Sequence, residues 1–435
     1  MSDAQRVANL DAWLETMRGP DGYGGPVVHW WQNCLSYTGA GLDWRYEGII
    51  SGYLTLWRRT GQAAWMDKAR RAGDDLLRGQ LPSGNYRHSN FELNPYSGGT
   101  PHEAAADLGL LRLASALRQA GYNDWEPYAQ AAENNLRRYY LERLWDGEVR
   151  AFRDSPDVPS LVPNKACTLV EALFAWAELR DTDEPVERYA LPTLRAVVAL
   201  QVKTPRRLAG AIPQNTIREA VVDAYFPYYI ARCIPALLQA GEWTDDVRWL
   251  DAATAAGEFI VRHMGEDGLL PQALYGRGQR GNLNRFPQWI APLGDVLRAL
   301  EQLRPYGFNP DTSVMRSALQ AGALPSGGFV TARGFAAQIN QRFSPVAPPD
   351  FRDLLPVAGW SDKAFAWLAK RVPEGESLPP PQTADVALNC IAHGRPAQWR
   401  ETAEEMTLSA GGRTLYHWRK GESWARVVAP EVMTR

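Results

Sequence analysis

The chain has 435 residues, with 47 Lys and Arg against 49 Asp and Glu, so its formal net charge is −2. That balance excludes nucleic-acid binding through bulk positive charge, and 45% hydrophobic with 22% charged residues is too apolar for disorder. No run approaches the ~18 uninterrupted apolar residues that span a bilayer, so no membrane partner is expected.

The first predicted element is an amphipathic helix over 4–17, with no apolar signal core ahead of it, which makes the cytoplasm the expected compartment. Gly- and Pro-marked turns then recur at Asp21, Pro82, Trp145, Leu208, Asp267 and Pro325, with starts 58 to 63 residues apart. A period near 60 indicates a repeat architecture rather than several unrelated domains. Between the turns the apolar spacing predicts paired helices: 43–60 with 64–77, 100–120 with 125–144, 164–179 with 186–202, 216–240 with 247–263, and 288–303 with 312–319. A helix over 353–371 joins the one at 4–17 to complete twelve. Strand-like alternation appears only near the end, at 406–409, 414–419 and 424–428. Six short-linked helical hairpins close naturally into an all-α (α/α)6 toroid over 1–375, with a C-terminal extension of short strands over 376–435 packing on it.

The segment Tyr53-Leu-Thr-Leu-Trp-Arg-Arg-Thr-Gly followed by Trp65-Met-Asp-Lys-Ala-Arg-Arg-Ala resembles the hairpin of the six-hairpin glycosidase superfamily. That superfamily includes unsaturated glucuronyl hydrolases, other glycosidases, polysaccharide lyases and sugar 2-epimerases. The resemblance implies the toroid and a site at one mouth, built from the N-terminal ends of the inner helices. It does not select a reaction, because related toroids also serve cyclases of apolar natural products.

Carboxylates recur at those helix starts. Thr100-Pro-His-Glu103 and Thr216-Ile-Arg-Glu219 read as capping boxes, each followed four residues later by an acid, Asp107 and Asp223. Asp43 and Glu47 keep the same step, and with Asn164 as a cap the third inner helix offers Glu171. Acids on otherwise apolar helices are costly unless they face a wet cavity, a cation or a buried hydrogen-bonding partner. Asp107-Leu-Gly-Leu-Leu is similar to the stretch that carries a catalytic aspartate in unsaturated glucuronyl hydrolases, and the resemblance implies that role for Asp107. The second such aspartate would fall near Lys165, so an acid and base pair is sought instead in Asp107 with Asp223 or Glu171.

His29, His88 and His102 fall in loops or helix starts on the expected mouth side and are candidate proton shuttles. Trp30, Trp31, Tyr225, Trp289 and Trp360 are candidate stacking platforms among 17 Trp, 17 Tyr and 12 Phe, with Tyr228 and Tyr229 beside them; the four last-named and Tyr225 are expected on inner helices. Arg277 and Arg280, with Arg285, sit in a Gly-rich loop suited to an acidic substituent, and 328–351 is long enough for a lid. The cysteines form no CxxC pair and no HxH or HExxH occurs, so no disulfide framework, metal or other cofactor is expected. The expectation is a carbohydrate-active enzyme, first a glycoside hydrolase on an oligosaccharide or glycoside, uronic acids included. An epimerase or lyase on the same fold and a cyclase are the alternatives. The substrate is the only partner expected; the sequence gives no oligomeric state.

Overall fold

The computed structural model describes residues 1–28, 36–37, 39–87, 102–276, 283–337 and 348–428, with the main chain alone at 36–37. The helices, in chain order, are α1 (Asp3–Thr16), α2 (Arg45–Thr60), α3 (Ala63–Gly79), α4 (Glu103–Gln119), α5 (Glu126–Asn135), α6 (Pro163–Arg180) and α7 (Leu191–Ala199). They continue with α8 (Pro227–Ala231), α9 (Ile234–Thr244), α10 (Val247–Arg262), α11 (Leu293–Gln302), α12 (Ser313–Ala321) and α13 (Ala358–Ala369). Two π-helical stretches, Leu136–Leu144 and Val186–Ala190, extend α5 and lead into α7.

The inner ring runs α2, α4, α6, then α8 with α9, then α11 and α13, and α13 packs back on α2 to close it. Outside it lie α3, α5, α7, α10, α12 and α1, so the molecule is an (α/α)6 toroid of six hairpins. Burial separates the two layers. On α3 the buried Trp65, Met66, Ala69, Ala72, Gly73 and Leu76 form one stripe, as an outer helix requires. On α6 nearly every residue from Ala166 to Ala177 is buried, because both neighbours and the outer layer cover it. No helix among the described residues is long and apolar enough to cross a membrane.

Close approach closes the ring. A Cβ on Gly48 of α2 would stand 2.2 Å from Asp362 Oδ2 and 2.6 Å from the Asp362 carbonyl, and one on Gly52 would stand 2.4 Å from the Phe365 ring. Glycine one turn apart thus lets α13 settle against α2.

Several boundaries differ from the sequence reading. The helix expected over 216–240 begins only at Pro227; Thr216–Ile217 and Ala220–Val221 form a hairpin through Arg218 at φ 53°. The supposed capping box there is therefore a turn, held by main-chain bonds to the 159–161 segment. Val162, not Asn164, precedes α6, with Pro163 in its first turn. Tyr225 lies in strand Ala224–Tyr225 and Trp289 in strand Gln288–Trp289, so neither sits on an inner helix, and α11 starts at Leu293. Within 328–351, strand Ala332–Arg333 pairs with Gln288–Trp289, while 338–347 lies outside the described residues.

The C-terminal strands form a five-stranded antiparallel meander of Val386–Ala392, Arg395–Glu401, Glu405–Ala410, Arg413–Arg419 and Arg426–Val427. The first two strands were not anticipated. Buried Glu401 ties this sheet to α1, accepting from Trp13 Nε1 at 2.7 Å and pairing with Lys420 at 2.9 Å.

Gly48→Ala is expected to destabilise the fold by about 1–3 kcal/mol through overpacking. Urea denaturation checks this; an unchanged midpoint would contradict the α2–α13 contact described.

Candidate active site

The N-terminal ends of the inner helices and the loops before them surround a cavity of about 550 Å³, ordinary for a small-molecule site. One wall is aromatic. Trp44, just before α2, lies 5.6 Å from Trp360 of α13 and 4.8 Å from the His102 ring at the start of α4. Trp289 backs Trp360 at 5.0 Å, and Tyr228 meets it edge-on at 5.9 Å. The facing wall is polar, with Asn164, Lys165 and Thr168 from α6 and Gln214 and Asn215 from the loop before α8. Asp154 also lines the cavity and pairs with Lys165 Nζ at 3.0 Å.

Beneath the cavity, ions plug the lumen. Glu47 is 2% exposed. It accepts from Arg232 Nη2 at 2.8 Å, Arg298 Nη1 at 3.2 Å and Arg112 Nη1 at 3.4 Å, and Lys363 Nζ is 3.8 Å away. Burial would raise its pKa, yet Arg232, Lys363, Arg298 and Arg112 together hold the carboxyl well below the usual range. Asp295 takes a second contact from Arg232 at 3.2 Å, and Glu171 takes Arg112 at 3.2 Å. Burial pushes the Glu171 carboxyl up despite the nearby arginines. Asp362 is pushed up to about 7 by burial, although Lys363 stands 2.9 Å away. Arg232 and Lys363 also reach the cavity and form its floor.

The expected catalytic residues separate. His102 lines the cavity. Asp107 does not: it is fully buried on the side of α4 that meets the outer layer, where Tyr86 OH donates to it at 2.8 Å. Burial, with the nearby Glu103 charge, raises its pKa well above the usual range despite the Tyr86 hydrogen bond. Glu103, one turn earlier, accepts from Asn85, the Tyr86 N–H and Asn135, while the Tyr140 hydroxyl accepts from the Ala104 N–H. Glu171 and Glu47 belong to the ion plug. Asp223 is exposed in the loop before Ala224–Tyr225, where it accepts from the Gly276 N–H at 2.9 Å and bonds Tyr225. The four acids therefore do not converge. Trp360 lines the cavity, Trp289 supports it from behind, and Tyr225 lies outside the lining. His29, Trp30, Trp31, His88, Arg277 and Arg280 lie outside the described residues.

The sequence reading missed Trp44, Asp154, Arg232, Lys363 and the rest of the cationic plug. A lone Arg or Lys on an apolar inner helix was an available signal, since it is as costly there as a lone acid. Among the described residues, no three His, Cys, Asp or Glu side chains converge as metal ligands.

No protein-family model and no curated protein matches the sequence. Solved structures do match in fold, each over 85% of this chain. Cellobiose 2-epimerase from Bacillus thermoamylovorans B4167 is 11% identical, with 99% of its chain covered and a TM-score of 0.60. An inactive variant of the α-1,6-mannanase GH76A of Salegentibacter sp. HEL1_6, in complex with α-1,6-mannotetrose, is 13% identical with 99% covered and a TM-score of 0.57. An unsaturated glucuronyl hydrolase specific for heparin is 12% identical with 95% covered and a TM-score of 0.56. The chain thus has the six-hairpin fold that its hairpin text resembles.

Two consequences of the plug are measurable. Glu47→Gln strands buried cations and is expected to cost about 3–5 kcal/mol in denaturation at neutral pH. Asp362 holds a proton in the folded chain up to about pH 7, whereas an unfolded Asp releases it near ~3.9. Stability contributed by that proton therefore falls as pH rises between about 4 and 7. Asp362→Asn is expected to flatten this slope in a pH series of thermal melts; an unaltered slope would show that Asp362 does not titrate there.

Proposed function

We propose that the protein is an enzyme acting on a carbohydrate or sugar-like small molecule in the mouth cavity, by proton transfer centred on His102. Such chemistry epimerises, isomerises or eliminates. The observation carrying this reading is the set of ionisable groups that lines the cavity among the described residues. One carboxylate, Asp154, stands with His102, Lys165, Arg232 and Lys363.

Removing a proton next to a carbonyl or carboxylate leaves charge on oxygen, which fixed cations stabilise. Lys165 on the wall and Arg232 and Lys363 on the floor are fixed in this way. An imidazole suits the base because its ordinary pKa lies near neutrality. Trp44 and Trp360 offer flat faces to the apolar side of a ring, and Asn164, Gln214 and Asn215 offer hydrogen bonds to hydroxyls.

Hydrolysis by two carboxylates needs them about 5–5.5 Å apart for retention or 6.5–9.5 Å for inversion, flanking the bond. Asp107 with Glu171 or Asp223 does not supply that pair, because one is buried behind α4, one lies in the plug and one is exposed away from the lining. We assign Asp107 and Glu171 to stability. Glycoside hydrolysis remains the second reading, favoured by the Asp154 carboxylate on the wall. An apolar cyclase is disfavoured by the charged floor.

Proton NMR in D2O with a panel of reducing sugars and uronates tests the reading. Deuterium entering next to the carbonyl, or an alkene appearing, is expected. His102→Asn is expected to slow that turnover by about a hundredfold to ten-thousandfold. Asp107→Asn, a change of similar size away from the cavity lining, is expected to keep it. Release of reducing ends without deuterium uptake, lost in a folded Asp107→Asn variant, would overturn the assignment.

A further inference from the structure

Two large apolar side chains stand exposed on the lip of the cavity. Ile217 is 57% and Val158 47% exposed, and both line the cavity mouth. A single exposed apolar residue is unremarkable, but neighbouring ones at the edge of a pocket mark a binding surface.

Their backbone is firmly held. The Thr216 N–H donates to the Leu161 carbonyl at 2.9 Å and the Arg218 N–H to the Pro159 carbonyl at 2.8 Å, bracketing Ile217. The Leu161 N–H donates to Thr216 Oγ1 at 3.1 Å, and buried Ser160 donates through Oγ to the Thr216 carbonyl. Arg218 at φ 53° completes a tight turn that fixes Ile217 outward. Ordering of this kind lowers the conformational cost of binding against the lip.

Polarity also changes with depth. Arg232 and Lys363 make the floor, Asn164 and Asn215 lie on the polar wall, and Val158 and Ile217 edge the opening. The geometry points to an amphiphilic ligand: a sugar held over the floor that carries an apolar alkyl or aryl substituent across Val158 and Ile217. This rests on the reading of the cavity as a sugar site and narrows its substrate class to uronate glycosides, or sugars with a free carbonyl, that carry an apolar group; neutral glycosides serve only as binding probes. The continuity of lip and cavity selects that occupant over a second copy of the chain.

The test compares methyl and n-hexyl glycosides of glucose, mannose, galactose and glucuronic acid, below micellar concentrations, by calorimetry on the full chain. At least one hexyl glycoside is expected to bind about tenfold tighter than its methyl counterpart, the gain from burying roughly two methylenes. The double variant Val158→Ser/Ile217→Ser, confined to exposed positions, is expected to abolish that difference. Equal affinity of hexyl and methyl glycosides overturns the amphiphile and leaves the sugar site standing. A sugar-free hexyl oligoethylene glycol ether binding as tightly as the hexyl glycoside, or no glycoside binding at all, overturns both. Sedimentation showing a dimer that the double variant dissociates gives the lip to a second copy and overturns the proposal.

Discussion

Glu47 holds the centre of the toroid. Its carboxylate stands on α2, and the cations that reach it come from α4, α11, α13 and the turn between α8 and α9. The α8–α9 member is diametrically opposite α2 in the ring, so the 2.8 Å bond from Arg232 spans the lumen. A carboxylate this buried is tolerated only when its lone pairs are taken and its charge is matched. The match is excessive, four cations around one acid, and Asp295 and Glu171 restore part of the balance. Closing the ring and sealing the lumen are thus one event, and the seal sets the depth of the cavity above it.

The inner-helix acids divide by the face they occupy. On α4 the step from Glu103 to Asp107 keeps both on the side that meets the outer layer, where Tyr86 donates to Asp107 Oδ1 and Asn135 to Glu103. On α2 and α6, Glu47 and Glu171 turn inward to the arginines. The spacing i, i+4 shows only that two residues share a face; it says nothing about which face meets the lumen. This phase separates acids that brace the outer layer from acids that join the ion plug.

The repeat and the hairpins were legible because each is a local pattern repeated in sequence; of the aromatic wall Trp360 and Tyr228 were singled out, but Trp44 was not. His102 was read at a helix start and Trp360 on an inner helix, and both line the cavity. The 216–225 segment was misread because its apparent capping box is outweighed by long-range bonds to 159–161, which no local rule contains. Arg232, Lys363 and Asp154 were not legible as a set. They come from three distant parts of the chain and meet only because the ring closes. The first two strands of the C-terminal sheet escaped for a smaller reason: Pro396 interrupts the alternation of the second, although proline is tolerated near a strand's first residue.

In the proposed reaction the floor cations would act through their placement more than through spare hydrogen bonds. Arg232 directs Nη1 and Nη2 to Glu47, Asp295 and Thr168, and Lys363 Nζ is held by the Trp44 carbonyl at 3.1 Å as well as by Asp362. Groups so engaged cannot swing to follow a ligand, and they need no reorganisation when charge develops above them. That is the condition under which fixed dipoles and charges lower a barrier most. Trp44 belongs to the same arrangement: its carbonyl anchors Lys363 below while its ring meets His102 beside the cavity. The aromatic wall, the candidate base and the cationic floor are therefore mechanically joined. In the proposed site, a ligand stacked on the wall would lie over the floor.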